Sequence, residues 1–209
     1  MSADLRRRRG HSLLEVVVVV TITALLVLLA LSALMAGQRP SVEGSVRAHV
    51  LAVGEATLRR VERELASADY AGVTQVVGAW DGVAFTPTAA GADRAIQLFP
   101  VVGWSGPTST ALTGPGVVYQ FRPRPGGPAD RLQLVRVDTA SGLAVPLLDD
   151  VVGASDDPAE LPAFTQVGVA AAPPQRARLE VRFTLARRTG PEDWVRVTFA
   201  KVVTLRNLL

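Results

Sequence analysis

The chain has 209 residues, with 22 Lys and Arg against 19 Asp and Glu, and no cysteine. The formal charge of +3 comes from the first ten residues, which hold four Arg and one Asp, and the other 18 basic and 18 acidic residues cancel. This excludes a disulfide-stapled domain, a thiolate metal site and a general basic field for nucleic acid.

A basic leader, Arg6-Arg7-Arg8-Arg9, precedes Gly10-His11-Ser12-Leu13-Leu14-Glu15, and an uncharged apolar run follows from Val16 to Ala36. At ~1.5 Å per residue the run reaches about 32 Å, enough for a bilayer core of ~30 Å. Thr21, Thr23 and Ser32 are tolerable there because their hydroxyls can bond back to helix carbonyls. The arginines place the N-terminus in the cytoplasm and everything after Gln38 outside. Glu15 is the unusual residue. An ionised group in hydrocarbon costs at least ~2.5–3.5 kcal/mol, so it calls for a partner.

Three readings meet on this segment. A secretory signal has an apolar core of ~7–15 residues and a small-x-small cleavage site. Here the core is longer, and Ala30-Leu31-Ser32 is the passable site. A plain single-pass anchor explains the length and the arginines but leaves Gly10 and Glu15 without a role. The third reading is a resemblance. Gly10-His11-Ser12-Leu13-Leu14-Glu15 resembles the class III leader of type IV pilin-like proteins, in which Gly and Phe-Thr-Leu-Ile-Glu follow a short basic stretch. His11 stands where that family usually has Phe.

The resemblance implies cleavage between Gly10 and His11 by a prepilin peptidase, N-methylation of the new His11 terminus, and an apolar helix that stays attached. It also implies partners: other pilin or pseudopilin subunits, an inner-membrane assembly platform and membrane lipid, with DNA an open question. In a staggered filament Glu15 of one subunit can meet the terminal amine of its neighbour. Opposite charges ~4 Å apart at an effective dielectric of ~20 attract by about 4 kcal/mol, which offsets desolvation and fixes axial register. The competing reading is that Glu15 snorkels to the headgroups.

Pro40 predicts a kink or break, since proline removes a helix bond. From Val42 to about Tyr70 the pattern is helical again. Val46, Val50, Val53, Leu58, Val61 and Leu65 recur at helical spacing beside charged neighbours, which predicts a stem with one apolar stripe packed on a sheet. Gly44 and Gly54 each weaken that helix by ~1 kcal/mol relative to Ala. The domain plan is therefore a leader (1–10), a transmembrane assembly helix (11–37), an amphipathic stem helix (38–70) and a β-rich head (71–209).

In the head, short strands are expected at Val73–Val77, Gly82–Thr86 and Ala95–Pro100, and a loop over Gly103–Gly116. Val117–Phe121 and Leu132–Val137 read as strands joined by a stiff Pro/Gly turn, followed by Leu147–Val152 and an acidic loop, Gly153–Pro162. Strict alternation at Leu179–Leu185 and Val195–Phe199 around Thr189–Asp193 predicts a closing hairpin. The fold class is α+β, a long helical stem packed on an antiparallel sheet. The order of these elements is similar to the larger minor subunits of the family, the J pseudopilin and W minor pilin class. The lack of Cys argues against a disulfide-looped major pilin.

No catalytic constellation is visible, and the chain is not expected to be an enzyme. His49 falls in the stem stripe and His11 at the membrane start. No cofactor is expected. The one candidate is calcium in the acidic stretch Asp149, Asp150, Asp156, Asp157 and Glu160, which lacks EF-hand spacing and reads first as a solvated loop. Arg122 and Arg124, without interleaved aromatics, read as surface residues. Trp80, Trp104 and Trp194 read as core or stem-facing anchors. The function implied by the resemblance is a minor pilin or pseudopilin near the tip of a type IV pilus or type II secretion pseudopilus, serving assembly, secretion or DNA uptake. The alternative is a membrane-tethered extracytoplasmic binding domain that never polymerises.

Overall fold

The computed structural model describes residues 13–69, 76–88, 92–105, 110–167, 178–191 and 193–205. A single helix, α1, runs from Leu13 to Ser67. The backbone stays helical through Pro40, so the expected break is absent, and the helix ends at Ser67, where β1 (Ala68–Asp69) follows directly. The chain forms two compact units, one ending at Ser45 and one from Val46 to Leu209.

In the first unit the helix is apolar on all sides and exposed, from Leu13 to Met35. Its most apolar 18-residue window has a mean hydropathy of 2.9 with nothing buried, so α1 is long and apolar enough to cross a membrane. The hydroxyls behave as expected: Thr21 Oγ1 donates to the Val17 carbonyl (2.8 Å), Thr23 Oγ1 to Val19 (2.7 Å) and Ser32 Oγ to Leu29 (2.9 Å). Each polar group is thereby satisfied within the helix.

The second unit is an antiparallel sheet with the remainder of α1 on one face. Beyond β1, its strands are β2 (Val77–Trp80), β3 (Phe85–Pro87), β4 (Ala92–Asp93), β5 (Ala95–Ser105), β6 (Thr110–Thr113), β7 (Val117–Pro123), β8 (Arg131–Asp138), β9 (Ala144–Val152), β10 (Ala163–Val167), β11 (Arg178–Arg188) and β12 (Trp194–Thr204). Among the described residues the order is β3-β2-β5-β7-β8-β9-β11-β10-β4, with β1 and β6 added to β5, and β12 to β11. The closing hairpin pairs in full from Arg188↔Trp194 to Arg178↔Thr204. Four strands were not expected: the two-residue β1 and β4, β6 and β10. The segment read as a loop over Gly103–Gly116 instead extends β5 to Ser105 and adds β6, because Thr110, Ala111 and Leu112 ladder onto Ser105, Trp104 and Gly103 beyond a bulge. β10, flanked by Pro162 and Gly168, was not expected; its Phe164 is fully buried. The expected strand Val73–Val77 lies mostly outside the described residues.

The apolar stripe packs as its spacing predicts. Val50, Leu58, Val61 and Leu65 are buried, with Val46 and Val53 partly so, against Val117, Tyr119, Phe121, Leu134, Phe183 and Phe199. Each such aliphatic side chain contributes up to ~1.5–3 kcal/mol. Under the helix four rings run in a row: Phe164–Phe121 at 5.1 Å, Phe121–Phe183 at 6.1 Å and Phe183–Phe199 at 5.3 Å between centroids. Gly54 has a second role beside this row. A Cβ there would sit 2.2 Å from Cζ of Phe199, so the missing side chain is what lets the ring reach the helix backbone. At Gly44 a Cβ would meet nothing within 4 Å. The alternate residues of β7 and β8, Val118, Val135 and Val137, bury the other face with Ala95, and Trp80 and Phe85 pack on them.

The tryptophans divide. Trp80 is half-buried on that second cluster. Trp104 is 61% exposed and Trp194 45%, so these two are surface residues rather than core or stem-facing anchors. Trp194 is instead stabilised by guanidinium groups, Arg131 at 4.5 Å and Arg188 at 5.6 Å from its ring centroid, a cation–π arrangement.

Candidate functional site: the N-terminal segment and the acidic stretch

Gly10 and His11 lie outside the described residues. Glu15 sits in the first turn of α1, where a carboxylate is favoured by the helix dipole. Its chain neighbours Leu13, Leu14 and Val16 are apolar and each more than half exposed. The residue is thus an acid on the surface of a helix whose other exposed groups, over the next five turns, are hydrocarbon or self-satisfied hydroxyls. Such a surface is stable in lipid or against other apolar helices, settings in which an ionised carboxylate is costly.

The five acidic residues of the calcium reading separate into two places. Asp149 and Asp150 belong to β9. There the ladder with β8 slips, so that both oppose the single residue Gln133, and Asp150 takes φ = 62°. This is a β-bulge with its strained residue in the left-handed region. The pair lines a groove of about 280 Å³ together with His49, Val50, Val53, Leu185 and Arg187. His49 is therefore an exposed helix residue at a groove rim. Asp156, Asp157 and Glu160 lie in the β9–β10 connection, around a one-turn 3-10 helix (Pro158–Glu160). Two of these carboxylates are engaged: Asp157 Oδ1 caps that turn by accepting from Ala159 N (2.8 Å), and Glu160 Oε2 accepts from Ser155 Oγ (2.6 Å) and Arg196 Nη1 (2.9 Å). Among the described residues no three His, Asp or Glu side chains converge as a metal site would need. Arg122 and Arg124 flank Pro123 at the end of β7, Arg122 half-buried and Arg124 exposed.

Two ion pairs that sequence reasoning missed fasten the stem helix to the sheet. Arg136 Nε of β8 donates to Glu64 Oε2 at 2.9 Å, and Arg60 Nε approaches Glu64 Oε1 at 3.5 Å. Lys201 Nζ of β12 donates to Glu62 Oε2 at 2.6 Å. Burial alone would raise the Glu64 pKa, but the Arg136 hydrogen bond and the charges of Arg136 and Arg60 outweigh it and hold the carboxyl below its ordinary value of 4.5. The buried Tyr119 hydroxyl lies against the same pair, outside hydrogen-bonding geometry, and burial and the Glu64 charge push its phenol pKa upward. The only sequence signal was that Glu62 and Glu64 flank the stripe residues Val61 and Leu65.

Against known proteins, residues 5–31 match the prokaryotic N-terminal methylation motif. That motif is the class III prepilin leader, so the leader resemblance is a finding, and with it a context of prepilin-peptidase processing and pilin-family assembly. Together with the exposed apolar helix it fits the N-terminal segment of a membrane-anchored, type IV pilin-like protein. The match does not extend into the head. No curated protein and no solved structure matches the chain.

Proposed function

We propose that the chain is a minor pilin or pseudopilin subunit. A prepilin peptidase cuts after Gly10, His11 becomes the methylated terminus, and the apolar part of α1 moves from lipid into a bundle of like helices. Glu15 then pairs with the terminal amine of a neighbouring subunit. The head, without catalytic chemistry, acts by binding at or near the tip of a type IV pilus or type II secretion pseudopilus, in assembly, secretion or DNA uptake.

One observation carries this reading: the methylation motif over residues 5–31 coincides with an acid in the first turn of a helix that is otherwise exposed hydrocarbon. A plain anchor has no use for that acid.

The test is the mass and terminal sequence of the membrane form from its host. A terminus at His11 supports the reading, and a retained Met1 leaves a non-polymerising tether. Glu15→Ala is expected to be cleaved normally and to fail incorporation; normal incorporation would refute the pairing.

A further inference from the structure

The function proposed above gives no work to one side chain of the motif. His11 stands where the pilin-like leader usually has Phe. A phenylalanine at a processed terminus offers a metal one donor, its amine. A histidine offers two, the amine and the imidazole Nδ1. The covalent structure of the residue alone lets both close a chelate ring on the same ion. Glu15 follows four residues on, the separation at which helical side chains are neighbours, and it lies in the first turn of α1. The chain thus brings two nitrogens and a carboxylate together in five consecutive residues of the matched motif.

We propose that the processed terminus is a site for a borderline divalent cation, Cu²⁺, Ni²⁺ or Zn²⁺, held by the His11 amine, the His11 imidazole and the Glu15 carboxylate of the same chain. The donor set selects the class. Imidazole suits these ions, whereas Ca²⁺ and Mg²⁺ take oxygen ligands. Both nitrogens must shed their protons to bind, and an imidazole and an α-amine do so at pH ~6.5 and ~8, well below a lysine. Methylation leaves the amine its lone pair. The ion then serves as counter-charge to Glu15 in place of an ammonium group. The inference rests on cleavage after Gly10 and concerns regulation of that same site. A subunit that carries the ion has no ammonium to offer a neighbour's Glu15, so metal loading and filament pairing exclude each other. Competition from the remainder of the chain is small. It has no cysteine, its other histidine is His49, and among the described residues no three His, Asp or Glu side chains converge.

The test uses Cu²⁺ on the full chain, purified from its host in detergent without a histidine tag, with the terminus read by mass. A chain that begins at His11 is expected to bind one equivalent tightly in calorimetry, with nitrogen coupling in its paramagnetic resonance spectrum. The precursor, made in a host without the peptidase, holds the same residues with no free amine at His11 and should lose the tight binding. His11→Phe keeps the amine and His49 and should lose it as well. Glu15→Gln keeps both nitrogens and is expected to weaken binding by about tenfold or more. A chain that begins at His11 and binds Cu²⁺ no better than His11→Phe, or no better than Glu15→Gln, overturns the site and leaves the filament reading standing. A terminus elsewhere removes the filament reading, and the site with it.

Discussion

Gly54→Ala sets two effects of opposite sign against each other. In an exposed helix the change stabilises by ~0.8–1.0 kcal/mol through backbone propensity. At this position the new Cβ falls 2.2 Å from Cζ of Phe199 and within 2.6 Å of both Cε atoms. The ring has little room to yield, since it is 7% exposed and stacks on Phe183 at 5.3 Å. Forcing a methyl into a packed core costs ~1–3 kcal/mol. An overlap this close takes the upper part of that range, ~2–3 kcal/mol, so the net is a destabilisation of about 1–2 kcal/mol, or a midpoint lowered by roughly 2–8 °C for a domain of this size. The assay is thermal or urea unfolding of the detergent-solubilised full chain, followed by near-UV circular dichroism. Gly44→Ala, with nothing within 4 Å, is the control and should not lower the midpoint. In a Phe199→Ala background the clash disappears, and Gly54→Ala should become stabilising by up to ~1 kcal/mol. Equal effects of Gly54→Ala in both backgrounds would refute the view that Phe199 is the reason for the glycine.

Two further outcomes concern the stem-to-sheet ion pair. Arg136→Ala leaves the half-buried Glu64 with Arg60 alone and is expected to cost about 1–3 kcal/mol in urea unfolding, more than an exposed pair would. Because the folded pKa of Glu64 lies below 4.5, its contribution is complete above that pH and is lost as pH falls through the folded value. The stability difference between the native chain and Glu64→Gln should therefore be largest near pH 7 and shrink below pH 4.5; a difference flat with pH would remove the ion pair from the account.

The fold was legible wherever one period ran unopposed. The apolar run Val16–Ala36, the stripe from Val46 to Leu65 and the alternation in β11 and β12 each had a single burial pattern to satisfy, and each lies where its pattern put it. The break expected at Pro40 does not occur because propensity treats a proline locally, whereas a helix of 55 residues carries it with many bonds on either side. β6 and β10 escaped because their strength is in the partner strand, with few bulky apolar residues of their own. Gly54 looked like a defect until Phe199 was beside it. At the candidate site, the leader and Glu15 were readable because they are contiguous. Glu64 with Arg136, and Glu62 with Lys201, were not, since 72 and 139 residues separate the partners. Asp149 and Asp156 were neighbours in sequence and not in space.

The slipped ladder at the aspartates has a bearing on how this chain can vary. β9 brings nine residues, Ala144–Val152, to the seven of β8 from Arg131 to Val137. The surplus is even, taken up at two separate slips, one at Leu147 and one at the aspartates. Each slip takes up one residue without changing the face: Leu148 and Val151, three apart, both pack in the core under the stem, as their partners Leu134 and Leu132 do. A bulge therefore absorbs a single residue where it sits, and the residues beyond it keep their side. Length variation in this strand is tolerated at the two slips and resisted between them.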